Sequence, residues 1–196
     1  MIRLSDILFS FFGLLFLSPL FIVVALWIII DDPGPIFYRQ QRVGKDGKDF
    51  GLLKFRSMRV GADKMSLITI GNRDPRVTRA GYYIRKFKID ELPQLWNVMI
   101  GDMSLVGPRP EVRRYVDLYT LEQRKVLSVR PGITDYASIE YIDENRLLAQ
   151  SDDPDKTYIE EIMPAKIALN MRYINHQTYG EYLKIILLTL TKIIRQ

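Results

Sequence analysis

Asp90 and Glu91 are adjacent carboxylates set among fixed cations, with Arg85 upstream and Arg109 downstream between Pro108 and Pro110. Paired acids beside arginines suit a metal ion that holds an anionic substrate while one carboxylate remains for chemistry. Magnesium takes hard oxygen ligands, commonly one or two carboxylates plus substrate phosphates. Arginine is the planar, bidentate partner of phosphate. The residue types and their spacing therefore point to phosphoryl-transfer chemistry. A structural reading competes with this one. Asp-Glu-Leu-Pro is also how many helices begin, with Asp90 as N-cap, Glu91 complementing the helix dipole and Pro93 in the first turn. The two readings are compatible, because a helix N-terminus is itself a site for anions.

The acids must be held by what flanks them. Leu92 to Met99 reads as a helix. Upstream, residues 36–43 and 50–58 read as two short strands around Gly44–Lys48, a hairpin with a Gly-bearing turn. Lys54 and Arg56 share one face of the second strand, where cations ordinarily only keep an edge soluble. Val60 to Gly81 has little periodicity and reads as a basic loop carrying Lys64, Arg73, Arg76 and Arg79. Such a face is either simply solvated, or lies against anionic lipid or receives a diphosphate. Downstream, the prolines around Arg109 stiffen its backbone, as a pre-organised phosphate site requires. Residues 111–119 and 121–129 read as helical, with Thr120 and Gln123 as a capping box. Arg130 then opens a second stiff turn that ends at Thr134.

From Ile7 to Ile30 there is no charged residue, a run of about 24 and long enough to cross a bilayer as a helix. It is too long for a cleavable signal peptide, and no small-residue cleavage site follows. Ser18-Pro19 sits at its middle. Pro19 cannot donate to the Leu15 carbonyl and Ser18 can bond back to that of Leu14, so a bend there costs little. The run reads either as a kinked spanning helix or as a re-entrant helix-break-helix that enters and leaves on one face. Arg39, Arg42 and Lys45 soon after it place the following domain in the cytoplasm by the positive-inside rule.

At the other end, residues 156–175 read as a helix with Pro164 as a kink or boundary. His176, the only histidine, is a structural residue on this reading, since one His without Cys argues poorly for zinc. Thr178 and Glu181 form a capping box for a final helix. Its apolar stripe runs through Tyr179, Tyr182, Leu183, Ile186, Leu187 and Leu190. That width, with tyrosines and terminal cations such as Lys192 and Arg195, favours a helix in the membrane interface.

The chain of 196 residues suffices for one domain with a core plus an accessory segment, and its net charge of +5 favours anionic partners. No cysteine is present, which excludes disulfides and thiolate metal sites.

Taken together, these blocks resemble the bacterial sugar transferases, the monotopic phosphoglycosyl transferases of bacteria. The matching stretches are the apolar N-terminus with Ser18-Pro19, Lys54-Phe-Arg-Ser-Met58, Arg85 ahead of Asp90-Glu91-Leu-Pro-Gln-Leu-Trp-Asn97, residues 101–110 and residues 129–134. They run in family order over nearly the whole chain. The resemblance implies an α+β, mostly helical fold: a re-entrant membrane helix over 1–32, a small β-hairpin, and a catalytic domain over 33–196 with amphipathic interfacial helices around the active site. It implies transfer of a phosphosugar from a UDP-sugar to a polyprenyl phosphate of undecaprenyl type, with release of UMP, at the cytoplasmic face of the bacterial inner membrane. This step opens glycoconjugate assembly. Asp90 would be the nucleophile that forms an acyl-phosphate intermediate, and Mg2+ would lie near Asp90 and Glu91. Arg85 and Arg109 would hold phosphate oxygens, with Lys54 and Arg130 as helpers. The expected partners are the two substrates and membrane lipid, without nucleic acid, and the short chain resembles the minimal catalytic form. One departure concerns Asp135-Tyr-Ala-Ser138, where many members carry Gly-Trp-Ala-Gln; it bears on the choice of sugar. Two other classes compete: a membrane-anchored binder of nucleic acid or anionic lipid, and a structural membrane protein whose Asp-Glu pair is only a helix cap.

Overall fold

The computed structural model describes residues 1–62, 74–141 and 144–194. Of the basic loop expected from the sequence, Lys64 and Arg73 lie outside the described residues, as does Arg195.

The N-terminal apolar run forms one helix, α1 (Ile2–Asp31), with Pro19 inside it. The expected break at Ser18-Pro19 does not interrupt it. A proline removes a single N–H from the ladder, and Ser18 Oγ donates back to the carbonyl of Leu15 (2.8 Å) rather than to that of Leu14. Helical residues at heptad spacing share one face. On α1 the buried positions are Ser5, Asp6, Ser10, Val24 and Ile28, and the half-buried Gly13, Leu17 and Phe21 continue the stripe between them. The opposite face, with Phe9, Phe12, Phe16, Val23 and Leu26, is exposed.

Both ends of α1 are tied to the domain by polar contacts. Near the start, Asp6 is buried and accepts from Ser104 Oγ (3.0 Å), the Leu105 N–H (2.9 Å) and Tyr182 Oη (2.9 Å). Arg3 donates to the carbonyls of Val98 (2.6 Å) and Met99 (2.9 Å). At the far end the Ala80 N–H donates to Asp31 Oδ2 (2.8 Å), and Arg56 pairs with Asp32 (3.0 Å).

The expected hairpin is present. β1 (Phe37–Val43) and β2 (Asp49–Phe55) pair antiparallel with Phe37 opposite Phe55 and Val43 opposite Asp49. The turn between them uses Asp46 and Gly47 at positive φ. A short helix then appears where the sequence suggested loop. α2 (Arg79–Lys86) starts at Thr78, whose side chain accepts from the Gly81 N–H (2.9 Å). This N-cap is a four-residue signal hidden by the surrounding charge. α3 (Gln94–Ile100) follows, and β3 (Ser104–Val106) pairs parallel with β4 (Gly132–Thr134).

The remainder is helical. α4 (Arg113–Val116) is much shorter than expected, and residues 123–128 form a 3₁₀ turn. Thr120 and Gln123 do make the reciprocal capping box, at 2.9 and 3.2 Å. α5 (Tyr136–Glu140), α6 (Glu144–Ala149) and α7 (Pro154–Thr157) lead to α8 (Met163–Asn175). Residues 158–162 between α7 and α8 are π-helical. The wider turn lies just before Pro164, where a regular ladder would need the missing N–H. In α9 (Tyr179–Ile194) the stripe is centred on Tyr182 and Ile185, both fully buried against Val106 and Tyr173. One face of α9 is thus core, while Leu187 and Leu190 stay exposed. The fold is α+β and mostly helical, as the sequence implied.

Gly81 marks the tightest approach. A Cβ there would stand 1.9 Å from the carbonyl oxygen of Ser57. Gly81→Ala is expected to lower unfolding stability in detergent by about 3 kcal/mol or more, through forced backbone displacement. Gly180→Ala in α9 meets nothing closer than 4.0 Å and is expected to be neutral or stabilising by up to about 1 kcal/mol. Equal effects in thermal unfolding would contradict this packing.

Candidate active site

The Asp90–Glu91 pair lies in a 3₁₀ turn, Ile89–Glu91, entered through Lys88 in the left-handed region (φ 54°). A non-glycine residue there is uncommon and costs backbone strain. Asp90 does not cap α3: that position belongs to Pro93, and no side chain caps this helix. The helix-start reading of the pair is corrected accordingly. The turn between α2 and α3 is stabilised by its own backbone bonds and leaves both carboxylates for other partners.

Glu91 is the partnered acid. Arg109 donates to both of its oxygens, Nη1 to Oε2 at 3.2 Å and Nη2 to Oε1, and Lys54 Nζ approaches Oε1 at 3.4 Å. Burial by itself would raise the Glu91 carboxyl, but Arg109 and Lys54 outweigh it and hold the group well below the usual carboxylate range. Glu91 in turn keeps the Arg109 guanidinium above its ordinary value. Lys54 is lowered, chiefly by its own burial, against the pull of Glu91.

Asp90 is the opposite case. Among the described residues its carboxylate makes no hydrogen bond or ion pair. Burial raises its carboxyl above the ordinary aspartate value, Lys54 opposes this, and the neighbouring Glu91 charge adds to it. Adjacent acids with acidities pushed apart commonly divide their roles. Here one acid is locked as an anion between two cations, and the other is raised and left without a partner.

The sequence-derived site residues separate in space. Lys54 and Arg109 converge on Glu91, and the charge of Arg85, from the last turn of α2, also reaches Asp90. Arg130 is held elsewhere, its Nε donating to the Gly101 carbonyl beyond α3 (2.9 Å). Among the described residues it bonds to neither acid and supports the α3 C-terminus instead. Arg56, which shares a strand face with Lys54, belongs to the α1 attachment.

Two residues were noted in the sequence only as part of a matching block, Asn97, and of a departure bearing on the sugar, Asp135, and not for a positioning role. Asn97 is buried in α3 and behaves as a substitute strand. Its Oδ1 accepts from the Leu53 N–H (2.9 Å) and its Nδ2 donates to the Gly51 carbonyl (2.9 Å). This locks β2 to α3 and presents Lys54 to Glu91. Asp135 accepts the Arg109 N–H (2.8 Å). Asn97 closes one of the matching blocks, but its strand-like bonding becomes evident only when β2 lies beside it.

Behind Pro108–Pro110 lies a cavity of about 40 Å³ with Tyr119, Tyr158, Lys166 and Asn170 in its wall. It has room for a water or two, not for a nucleotide, and neither Asp90 nor Glu91 lines it.

The family model for the bacterial sugar transferases matches residues 1–196. The chain belongs to that family. Among curated relatives, a protein of Bacillus subtilis named as a putative undecaprenyl-phosphate N-acetylgalactosaminyl 1-phosphate transferase is 50% identical over 109 residues, covering 56% of this chain and 61% of its own. The UDP-N-acetylgalactosamine-undecaprenyl-phosphate N-acetylgalactosaminephosphotransferase of Aeromonas hydrophila is 44% identical, over 70% of this chain and 33% of its own. The UDP-glucose:undecaprenyl-phosphate glucose-1-phosphate transferase of Escherichia coli is 34% identical, over 97% of this chain and 39% of its own. The chain thus spans from a third to about three fifths of the lengths of these relatives.

The two acids make opposite stability predictions. The Asp90 carboxyl is raised in the folded state, so its contribution is full below the ordinary aspartate value and is lost as pH rises through the folded one. Asp90→Asn removes a group whose charged form burial disfavours, so its melting temperature relative to wild type is expected to rise with pH. Glu91 is lowered, so its contribution is present at neutral pH and fades only in strong acid. Glu91→Gln removes the partner of Arg109 and Lys54 and is expected to cost about 1 kcal/mol, because the Arg109 side chain keeps 37% exposure to solvent. Thermal unfolding of both variants as a function of pH checks the signs.

Proposed function

We propose that the protein is a membrane phosphoglycosyl transferase that moves a sugar phosphate from a UDP-sugar to polyprenyl phosphate, with Asp90 as nucleophile. The observation that carries this is the unpaired, half-buried Asp90 carboxylate beside the Lys54–Glu91–Arg109 cluster. In the first step an Asp90 oxygen attacks the phosphorus that bears the sugar. The new O–P bond forms as the bond to the UMP oxygen breaks, and UMP leaves. In the second step a phosphate oxygen of the polyprenyl phosphate attacks the same phosphorus and displaces Asp90. The product is the polyprenyl-diphospho-sugar, and the carboxylate is regenerated. Two displacements through a covalent intermediate replace one difficult transfer between two anionic substrates.

A carboxylate approaching a diphosphate faces charge repulsion. Arg109 and Arg85 supply cationic charge beside the attacking group, where planar guanidinium groups match phosphate oxygens. The donor set also fits magnesium: two adjacent carboxylates with all-oxygen chemistry, one of them free of protein partners, and substrate phosphates to complete the shell. Among the described residues no group of three or more His, Cys, Asp or Glu offers a full cage, so a weakly held ion shared with substrate suits this site. Asp90 and Glu91 would hold it, and when bound it neutralises diphosphate charge.

The attachment of both ends of α1 to one domain supports a placement on one face of the bilayer, without a crossing to the far side. A straight helix of this length spans about 45 Å, yet both of its ends and its buried stripe are bound to one domain. A helix crossing the bilayer to the far side would leave one end without these contacts. With α1 lying against the domain and its exposed face in lipid, Asp90 sits at the membrane surface, on the cytoplasmic side by the distribution of lysine and arginine. Beside the Asp90 turn, α2 and α3 expose Tyr82, Tyr83, Phe87, Trp96 and Ile100. Such a surface suits the interface and the approach of an isoprenoid acceptor.

For the donor, higher identity to the two relatives named for N-acetylgalactosamine than to the glucose transferase favours a UDP-N-acetylhexosamine. UMP release should be measured in detergent with undecaprenyl phosphate, magnesium and a panel of UDP-sugars. The expected result is release with UDP-N-acetylgalactosamine, abolished by chelation and reduced by at least about 10³-fold in Asp90→Asn. Undiminished release from Asp90→Asn overturns the assignment.

A further inference from the structure

We propose that Asp135 is a positioning residue that sets the Arg109 guanidinium against Glu91 and the donor phosphates; this rests on the transferase reading above. Between Gly107 and Glu111 the two prolines carry no N–H, so the Arg109 amide is the single backbone donor of that segment. Asp135 accepts it through Oδ2 at 2.8 Å, while Oδ1 accepts the Ser138 N–H at the start of α5. The side chain is almost completely buried, at 1% exposure. The rest of the segment is locked to the same strand, with the Gly107 N–H on the Thr134 carbonyl (3.0 Å) and the Gly132 N–H on that of Pro108 (3.0 Å). Gly107 and Gly132 also stand too close for side chains: a Cβ on Gly107 would lie 2.4 Å from the Arg130 carbonyl oxygen.

The Pro108–Arg109 peptide plane is thereby held at both edges, its carbonyl by the Gly132 N–H and its amide by Asp135. The plane sets the direction in which the Arg109 side chain leaves the backbone. Its guanidinium must then meet two Glu91 oxygens at once, a bidentate geometry that tolerates little displacement. A shift of about 1 Å in a positioning group can cost on the order of 100-fold in rate.

Asp135 also caps α5, so a purely structural role must be separated from the positioning one. Asp135→Ser does this. A serine oxygen still accepts the Ser138 N–H as an N-cap but cannot serve the Arg109 amide at the same time. The test is a double-mutant cycle on kcat/KM for UDP-N-acetylgalactosamine, with hydrogen exchange over residues 107–111 as a second readout. The expected result is a loss of about 10- to 100-fold for Asp135→Ser, with faster exchange at Arg109 and little change in melting temperature. In the Arg109→Ala background the same substitution should change kcat/KM by less than about twofold, because its target is gone. An equal loss in both backgrounds, or unchanged exchange at Arg109, overturns the proposal in favour of a cap alone. A folded wild type that turns over no UDP-sugar overturns the transferase reading instead; it is recognised before any variant is compared, and it removes the reaction Asp135 would serve.

Discussion

The clamp on Glu91 is the interaction on which the site depends. Lys54 comes from a strand, Arg109 from a proline-flanked loop and Glu91 from a strained turn, and one carboxylate draws the three together. Because Glu91 takes both cations, its neighbour Asp90 is left without a partner in a partly desolvated place. An unpaired carboxylate there is destabilising as an anion and correspondingly reactive toward an electrophilic phosphorus. Stability and chemistry are thus divided between adjacent residues. The surrounding fold serves this division: Asn97 registers β2 against α3, and the close packing of Gly107 on Gly132 holds the Arg109 loop.

The membrane helix extends the same logic. Its polar anchors, Arg3 and Asp6 at one end and Asp31 and Asp32 at the other, would be costly in hydrocarbon if unpaired. Each instead finds a partner on the catalytic domain. α1 is therefore part of the scaffold around the site as well as the attachment to lipid. Asp6 joins α1 to β3 and α9, and Arg56 joins it to the strand that carries Lys54. Arg56, bonded to α1, and Lys54, bonded to Glu91, are two residues apart in the chain, so the α1 attachment and the candidate site are held by the same stretch of backbone.

Much of this was legible in the sequence for physical reasons. The hairpin announced itself through its Gly-bearing turn, the Thr120–Gln123 box through side-chain spacing, and the Asp90–Glu91 site through the cations around it. Other features were hidden. α2 was obscured because its eight residues lie in a charged stretch with only Thr78 to mark the start. The π-helical turn before Pro164 has no sequence code beyond the proline itself. The stripe of α9 was placed too far toward lipid, since periodicity finds an apolar face without saying whether core or membrane covers it; Tyr182 and Ile185 went to the core. Arg130, an arginine beside proline like Arg109, was expected to help at the site. Only tertiary contact separates the arginine that meets Glu91 from the one that supports Gly101.

The measurement that tests the central claim most directly is the mass of the protein after incubation with UDP-N-acetylgalactosamine and magnesium in the absence of polyprenyl phosphate. The account predicts a covalent adduct of one sugar phosphate, mapped to the peptide containing Asp90, lost on treatment with hydroxylamine and discharged by undecaprenyl phosphate. An active preparation that forms no adduct under these conditions, or forms it on a residue other than Asp90, would contradict the account.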